Sequence, residues 1–351
     1  MSRRILIVKT SSIGDVLQAF SILPLLKKEG FIVDWVIDDK HKKLCFQNPL
    51  IDRVIVSDVK GWLTFKNSNK SFLSFRRDIQ KHTYEKIFDL QGNWKSSFLV
   101  FFAKGKKVGY GKKTVREKIN LLFTDIHIDV PKSLNIRNFY KKLFSGLLQK
   151  DLQSQRMIFS LSDQEKTKIE DLKTNLFNIT DKKVFVSVNS NWENKRLSNR
   201  FIEEFLQKVD NIEGCHFFFS WGTEEEKAQV VQLSKKLKKA TVLEKLSFPE
   251  WQQVLEQMDL LFATDSSFLS LCQLTTTPSF SFFGPTKGSV FTPLGNHGFY
   301  QGACPYKISF TKQCPKLRTC KTGSCIKDLD VEDCFLKYTE WKESSLKANQ
   351  N

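Results

Sequence analysis

Six apolar runs in the sequence stop abruptly at short polar stretches: KTSSIGD after residues 5–8, DLQGNWKSS at the end of 84–90, NSNWENKRLS after 183–188, WGTEEE after 215–220, DSS after 260–264 and GPT after 279–283. Between them these stretches offer carboxylates (Asp15, Glu224, Asp265), cations (Lys195, Arg196) and hydroxyls (Ser11, Ser12, Ser190, Ser266, Thr286). A buried parallel strand that ends in small and polar residues before a helix is how an α/β sheet presents such groups at its carboxyl edge, where ligands bind. Each residue also has a plain reading. Asp15 fits an ordinary helix N-cap, the glutamates around Glu224 fit a solvated helix start, and Lys195 is one lysine among many.

The elements needed to position these groups are legible around them. The first half alternates a strand at 5–8, a helix over 16–28, strands at 31–37, 53–56 and 84–90, and a helix over 96–103. A second alternation begins near residue 182, after a polar stretch over 150–181 that carries a helical pattern at 163–173. Strand–helix alternation of this kind predicts an α/β fold with doubly wound parallel sheets. The expected organisation is a first Rossmann-like domain over 1–160, a connector over 161–181, a second Rossmann-like domain over 182–330 and a terminal helix and tail over 331–351. The two domains are expected to face each other across a cleft lined by the polar strand ends.

Composition sets the outer bounds. A chain of 351 residues with 40% hydrophobic content can bury two cores. Its longest apolar run, 98–103, is far short of the ~18 residues that span a bilayer. The apolar stretch behind Arg3 and Arg4 is better suited to a strand than to a signal peptide, so a cytoplasmic location is expected. The formal net charge of +17 implies attraction to something anionic. Seven basic residues fall between Lys104 and Lys118, where three glycines predict a charge-presenting loop. Of eight cysteines, Cys45, Cys215 and Cys272 sit in apolar surroundings. Cys304, Cys314, Cys320, Cys325 and Cys334 crowd near the end without the paired spacing of a standard zinc site. Reduced structural thiols are the expectation for these five, a metal or disulfide clasp being the alternative.

Taken in order, KTSSIGDVLQAFSILPLLK, DLQGNWKSS, NSNWENKRLS, WGTEEE, DSSFLSL and FGPT resemble the ADP-heptose:lipopolysaccharide heptosyltransferases of glycosyltransferase family 9. The resemblance covers roughly residues 3–335, and the opening is closest to heptosyltransferase I. It implies the GT-B architecture, with the first domain taking the acceptor, the second the nucleotide sugar, and a C-terminal helix crossing back to the first domain.

The resemblance also implies roles. Asp15 stands at the position of the general base, and Lys195 at that of the lysine on the departing phosphates. Ser190 and Arg196 match neighbouring donor-side positions, with Trp192 packing beside them. Glu224 matches the glutamate that hydrogen-bonds the ribose, Asp265 the acid that holds sugar hydroxyls, and Gly284 and Thr286 the rim near the diphosphate. Ser266, Ser267 and Ser270 complete the donor side. Ser267 replaces the family's glycine, Ser270 its histidine, and Lys287 an aspartate. Ser11, Ser12, Gly14 and Arg116 fall on the acceptor side, and Trp62, Phe65 and Phe72 belong either to an acceptor loop or to the core. No metal or other cofactor is required, because no acidic pair is positioned to chelate one; magnesium is compatible but not implied. The implied partners are an ADP-sugar and an anionic lipopolysaccharide precursor at the inner face of the cytoplasmic membrane, with no nucleic acid. Two alternatives stay open: a homologue with another donor or acceptor, and a non-catalytic homologue that binds lipopolysaccharide or a nucleotide sugar.

Overall fold

The computed structural model describes residues 3–64, 69–148, 156–188 and 190–348. They form two compact units, Met1–Ser160 and Leu161–Asn351. The strands of the first are β1 (Arg4–Val8), β2 (Ile32–Asp38), β3 (Arg53–Ser57), β4 (Thr83–Asp89), β5 (Lys104–Tyr110) and β6 (Ile126–Ile128). Those of the second are β7 (Lys182–Ser187), β8 (Cys215–Phe219), β9 (Ala240–Val242), β10 (Leu260–Thr264), β11 (Ser279–Phe283) and β12 (His297–Gln301).

All pairings in both sheets are parallel, and the spatial orders are β3-β2-β1-β4-β5-β6 and β12-β11-β10-β7-β8-β9. Read from its other edge, the second order repeats the first. Each is the doubly wound order in which the chain leaves the central strand in one direction and later returns to its other side. The carboxyl ends of β1 and β4 therefore flank one switch point, and those of β7 and β10 the other. Central strands of this kind are buried on both faces, which is why β1 reads RILIV and β10 reads LLFAT without polar alternation.

Two local expectations are revised, and one left open is decided. The helix expected over 16–28 is two, Ile13–Phe20 and Leu23–Lys28. Pro24 has no N–H to donate back to Phe20, and the Ser21 hydroxyl instead donates to the Gln18 carbonyl at 2.7 Å. The first part of the basic stretch is a strand rather than a loop. Gly105 and Gly109 let β5 lie close to its neighbours, since a Cβ would fall 2.3 Å from the Tyr84 carbonyl oxygen or 2.8 Å from the Thr124 side chain. Lys104 and Lys106 point to solvent from that strand. Trp62 and Phe72 belong to the first core, with ring centroids 5.4 Å apart and both packed against Phe98; Phe65 lies outside the described residues.

The stretch expected as a connector is built into the second unit. Its helix Asp163–Leu172 is capped by Ser162 and Glu165, and the Ser247 hydroxyl donates to Glu165 from beside a neighbouring helix. The terminal helix Val331–Ala348, expected to cross back to the first domain, likewise clusters with the second unit. Tyr338 is fully buried there against Phe205, Phe262 and Phe280, and Cys334 is buried beside it. Gly298 is needed for this docking, because a Cβ would lie 2.5 Å from the Trp341 ring.

Glu213 anchors the same helix. Its carboxylate accepts from Lys182, from the Tyr338 hydroxyl at 2.6 Å and from Lys342 at 2.7 Å. Burial alone would push this carboxyl up, but the three bonds outweigh it and hold the group below the usual glutamate range. A depressed folded value gives stability that is present above the ordinary range and lost as pH falls through the folded one. Glu213→Gln is expected to cost about 1–3 kcal/mol at neutral pH, the two lysines being partly exposed. Its deficit against the parent should close as the medium is acidified and the parent's carboxyl also becomes neutral. Urea unfolding at a series of pH values measures both.

Candidate functional site

In the first unit the turn after β1 carries the group of interest. Ser12, not Asp15, caps helix Ile13–Phe20, so the helix begins one turn earlier than expected and Asp15 is its third residue. The Asp15 Oδ2 accepts from the Ser12 N–H and from the Ser12 hydroxyl, each at 3.2 Å. It also lies 3.7 Å from the Lys9 ammonium, whose side chain is only 7% exposed against 45% for Asp15. A buried cation, a helix N-terminus and two local donors together favour a charged carboxylate on the open side of the turn. Tyr110 and Tyr140 line this region. Burial pushes both phenols up, and the negative charge of Asp15 adds to it.

The turn after β4 stands beside it. Asp89, 1% exposed, accepts from the backbone N–H of Gln91 and Gly92 at 2.9 Å each and from the Asn120 amide at 2.6 Å. Burial pushes its carboxyl above the usual range, with those hydrogen bonds opposing. Gly92 adopts a left-handed φ of 63°, and a Cβ there would fall 2.9 Å from the Tyr110 ring. Its carbonyl accepts from the Glu117 N–H at 3.0 Å, while the Glu117 carboxylate accepts from the Trp94 N–H at 2.9 Å. Glu117 thus ties the loop carrying Arg116 to this turn through both its backbone and its side chain, with Arg116 itself exposed. Asp89→Asn exchanges an acceptor-only group for one carrying its own N–H donors. It is expected to cost about 1–3 kcal/mol and to speed amide exchange at both Gly92 and Asn120.

In the second unit the switch point is bridged by an ion pair. Lys195, in the single helical turn Glu193–Lys195 after β7, donates to the Asp265 Oδ2 at 2.5 Å across 70 residues of sequence. Both side chains are largely buried, 15% and 11% exposed. Arg196 is held by the Ser190 carbonyl at 2.7 Å and faces the Glu226 carboxylate at 3.7 Å. Ser266 takes the N-cap position of the short helix Ser267–Cys272 without a side-chain capping bond, and the Ser270 hydroxyl turns back to the Ser266 carbonyl at 3.2 Å. The hydroxyls of Thr264, Ser266 and Thr286 are shielded from solvent and have no partner among the described residues.

Other expected residues stand differently. Glu224 is 77% exposed and points toward Lys227; it is Glu226, accepting from the Gly222 N–H at 2.8 Å, that turns toward Arg196. Thr223 and Glu226 form a capping box, a T-x-x-E signal visible in the sequence. Lys9 was equally visible, as the residue that follows β1. Trp192, expected to pack, is 41% exposed under the Arg318 guanidinium, whose carbon is 4.8 Å from the ring centroid. Gly284 answers to packing, since a Cβ would meet Ile326 at 2.7 Å. The Lys287 ammonium lies 5.2 Å from the centroid of the Phe310 ring.

Two Rossmann-like units of identical strand order, each with polar groups gathered at its switch point, define the GT-B class of glycosyltransferases. The chain belongs to glycosyltransferase family 9, the heptosyltransferases, whose family model matches residues 72–318. It is 24% identical to lipopolysaccharide heptosyltransferase 1 of Campylobacter coli over 94% of this chain and 96% of that protein. It is 25% identical to lipopolysaccharide heptosyltransferase 1 of Salmonella typhimurium, over 86% of this chain and 93% of that protein. Among solved structures, a family 9 glycosyltransferase from Veillonella parvula superimposes with a TM-score of 0.76 at 17% identity, covering 97% of this chain and 98% of that one. E. coli heptosyltransferase WaaC with ADP-2-deoxy-2-fluoro heptose gives 0.69 at 23%, covering 86% and 93%. The protein is a glycosyltransferase of this family. Among the described residues no helix is long and apolar enough to cross a membrane.

Proposed function

We propose that the enzyme transfers a heptose from ADP-heptose to a Kdo residue of the lipopolysaccharide inner core, with inversion at the anomeric carbon. The Lys195–Asp265 pair at the second switch point carries this reading, because it puts an ammonium beside the mouth of a nucleotide-binding sheet. The names of the relatives and the ADP-sugar analogue bound to WaaC supply the substrate class.

In the proposed step Asp15 takes the proton of the acceptor hydroxyl while its oxygen attacks the anomeric carbon. The bond from that carbon to the diphosphate breaks, and its electron pair leaves with ADP. Lys195 offsets the charge growing on the departing phosphate, having two ammonium protons beyond the one given to Asp265. The unpartnered hydroxyls of Thr264, Ser266 and Thr286 are suited to the donor's polar groups. On the acceptor side, Arg116 and the lysines at 112, 113 and 118 suit an anionic acceptor at a negatively charged membrane face. A cytoplasmic location, peripheral to the membrane, is part of the same proposal.

Mass spectrometry of Kdo-lipid A after incubation with ADP-heptose and the protein tests the reading, with Asp15→Ala run beside it. One heptose gained with the parent and none with the variant supports the reaction and the base together. No gain from folded parent protein overturns the assigned donor and acceptor.

A further inference from the structure

Single large apolar side chains left in water are ordinary on a protein surface, but four of those in the first unit stand together. Trp94 and Phe101 are exposed on the helix Trp94–Phe101, and Ile119 and Leu122 on the 3₁₀-helix Lys118–Phe123. Spacing decides which way they point. Positions 94, 98 and 101 recur on one face of an α-helix, and positions 119 and 122 on one face of a helix with about three residues per turn. The opposite faces are spent on the fold. Ser96, Ser97, Leu99 and Val100 are buried under the first helix. Asn120 is buried under the second, its amide donating to Asp89 at 2.6 Å and to the Ser97 hydroxyl at 2.9 Å.

The two elements lie side by side. At one end the Trp94 N–H donates to the Glu117 carboxylate at 2.9 Å, and at the other the Phe101 and Phe123 ring centroids are 6.2 Å apart. Their outward faces therefore join into one apolar surface. It continues over the half-buried Phe98 to Phe72, whose ring centroids are 5.9 Å apart, and to the exposed Leu73 on the helix Asn69–Ile79. The border of this surface is basic. The Lys95 ammonium lies 5.7 Å from the Trp94 ring centroid, the Arg76 guanidinium carbon 6.0 Å from that of Phe102, and Arg116 and Lys118 are exposed beside Ile119. Among the described residues none of these four cations forms an ion pair.

We propose that this face docks the first unit onto a bilayer of anionic phospholipid. Aromatic and aliphatic side chains enter the boundary between headgroups and acyl chains, while the cations around them reach the phosphates. A second copy of the chain is a poorer occupant, because a twofold contact would set the unpaired cations of one rim against those of the other. The proposal rests on the reading in which the acceptor is anchored in lipid, and it gives that reading an orientation. Glu117 joins the face to the turn after β4, and β4 is the neighbour of β1, whose following turn carries Asp15. Docking thus holds the acceptor side of the first unit at the surface that carries the acceptor, which raises its effective concentration without any new contact to it.

Co-sedimentation of the full chain with vesicles tests the docking face, with phosphatidylethanolamine and phosphatidylglycerol in one set and phosphatidylcholine alone in the other. Neither set contains Kdo or an ADP-sugar. The expected result is binding to the anionic set that falls as salt is raised, and at least about tenfold weaker binding to the neutral set. Phe101→Ser/Leu122→Ser should weaken binding to the anionic set by at least about tenfold, since two large side chains no longer enter the boundary. Leu122→Ser alone, at a position 79% exposed, keeps the test open if loss of the Phe101–Phe123 contact unfolds the double variant. Leu336→Ser, at an exposed position of the second unit, should bind as the parent does. Equal binding to both sets overturns the proposal, as does anionic binding that the substitutions leave intact. A dimer in analytical sedimentation that Leu122→Ser dissociates, with no vesicle binding by the parent, overturns it in favour of a second copy. Transfer to a deacylated, water-soluble Kdo acceptor should be the same in the parent and in Phe101→Ser/Leu122→Ser, so failure of docking and failure of the proposed reaction are read separately.

Discussion

Asp15→Asn should retain the fold and the binding of both substrates while losing about 10²–10⁴-fold in kcat. The amide has the same shape, and its oxygen can still accept from the Ser12 N–H and hydroxyl, so the first turn of the helix Ile13–Phe20 remains capped. What disappears is a charged acceptor for the hydroxyl proton. Steady-state kinetics with both substrates varied, alongside thermal melting, check the expectation. A fall of less than about tenfold would remove Asp15 from the role of base. A large loss of stability would mean that its main work is capping, and that the Lys9 ammonium 3.7 Å away serves the turn and not the reaction.

Lys195→Met should lower kcat by about 10²–10³-fold, the range for losing one preorganised charge at a developing anion. The substitution keeps the length of the side chain and removes the ammonium. It also strands the Asp265 carboxylate, which is only 11% exposed, and so carries a stability cost unrelated to the reaction. The double variant Lys195→Met/Asp265→Asn separates the two effects. If the pair is chiefly structural, the second substitution should restore much of the melting temperature and of the activity. If Lys195 acts on the leaving group, stability should recover while kcat stays low. ADP binding, followed by calorimetry, should weaken in the single variant because the diphosphate product carries the same charge as the departing group. Unchanged ADP affinity together with near-normal kcat would overturn the assignment.

The sequence by itself determined the doubly wound α/β class, the division near residue 160 and the order of polar strand ends. These depend on local signals: apolar runs of four to seven residues, small residues after them, and cap-forming serines and threonines. The turns that carry Asp15 and Lys195 were legible for that reason, while the roles expected of the two residues came from the family resemblance and not from local signals. β6 and β9, of three residues each, and β5, rich in lysine and glycine, carry too little pattern to be read as strands. They exist because an already formed sheet offers them an edge.

Tertiary structure alone decided which distant groups meet. Lys195 finds Asp265 only because β7 and β10 are neighbours at the switch point, a consequence of strand order that no stretch of either segment encodes. Glu226 rather than Glu224 turns toward Arg196 because a helix repeats every 3.6 residues, so the phase set by the Thr223 cap chooses among consecutive glutamates. Cys304, Cys314, Cys320 and Cys325, with no regular spacing, line one cavity because irregular chain is folded back against β11 and the turn bearing Asn194. In each case the deciding interaction spans a fold already made, and its residues become neighbours only when the sheet is complete.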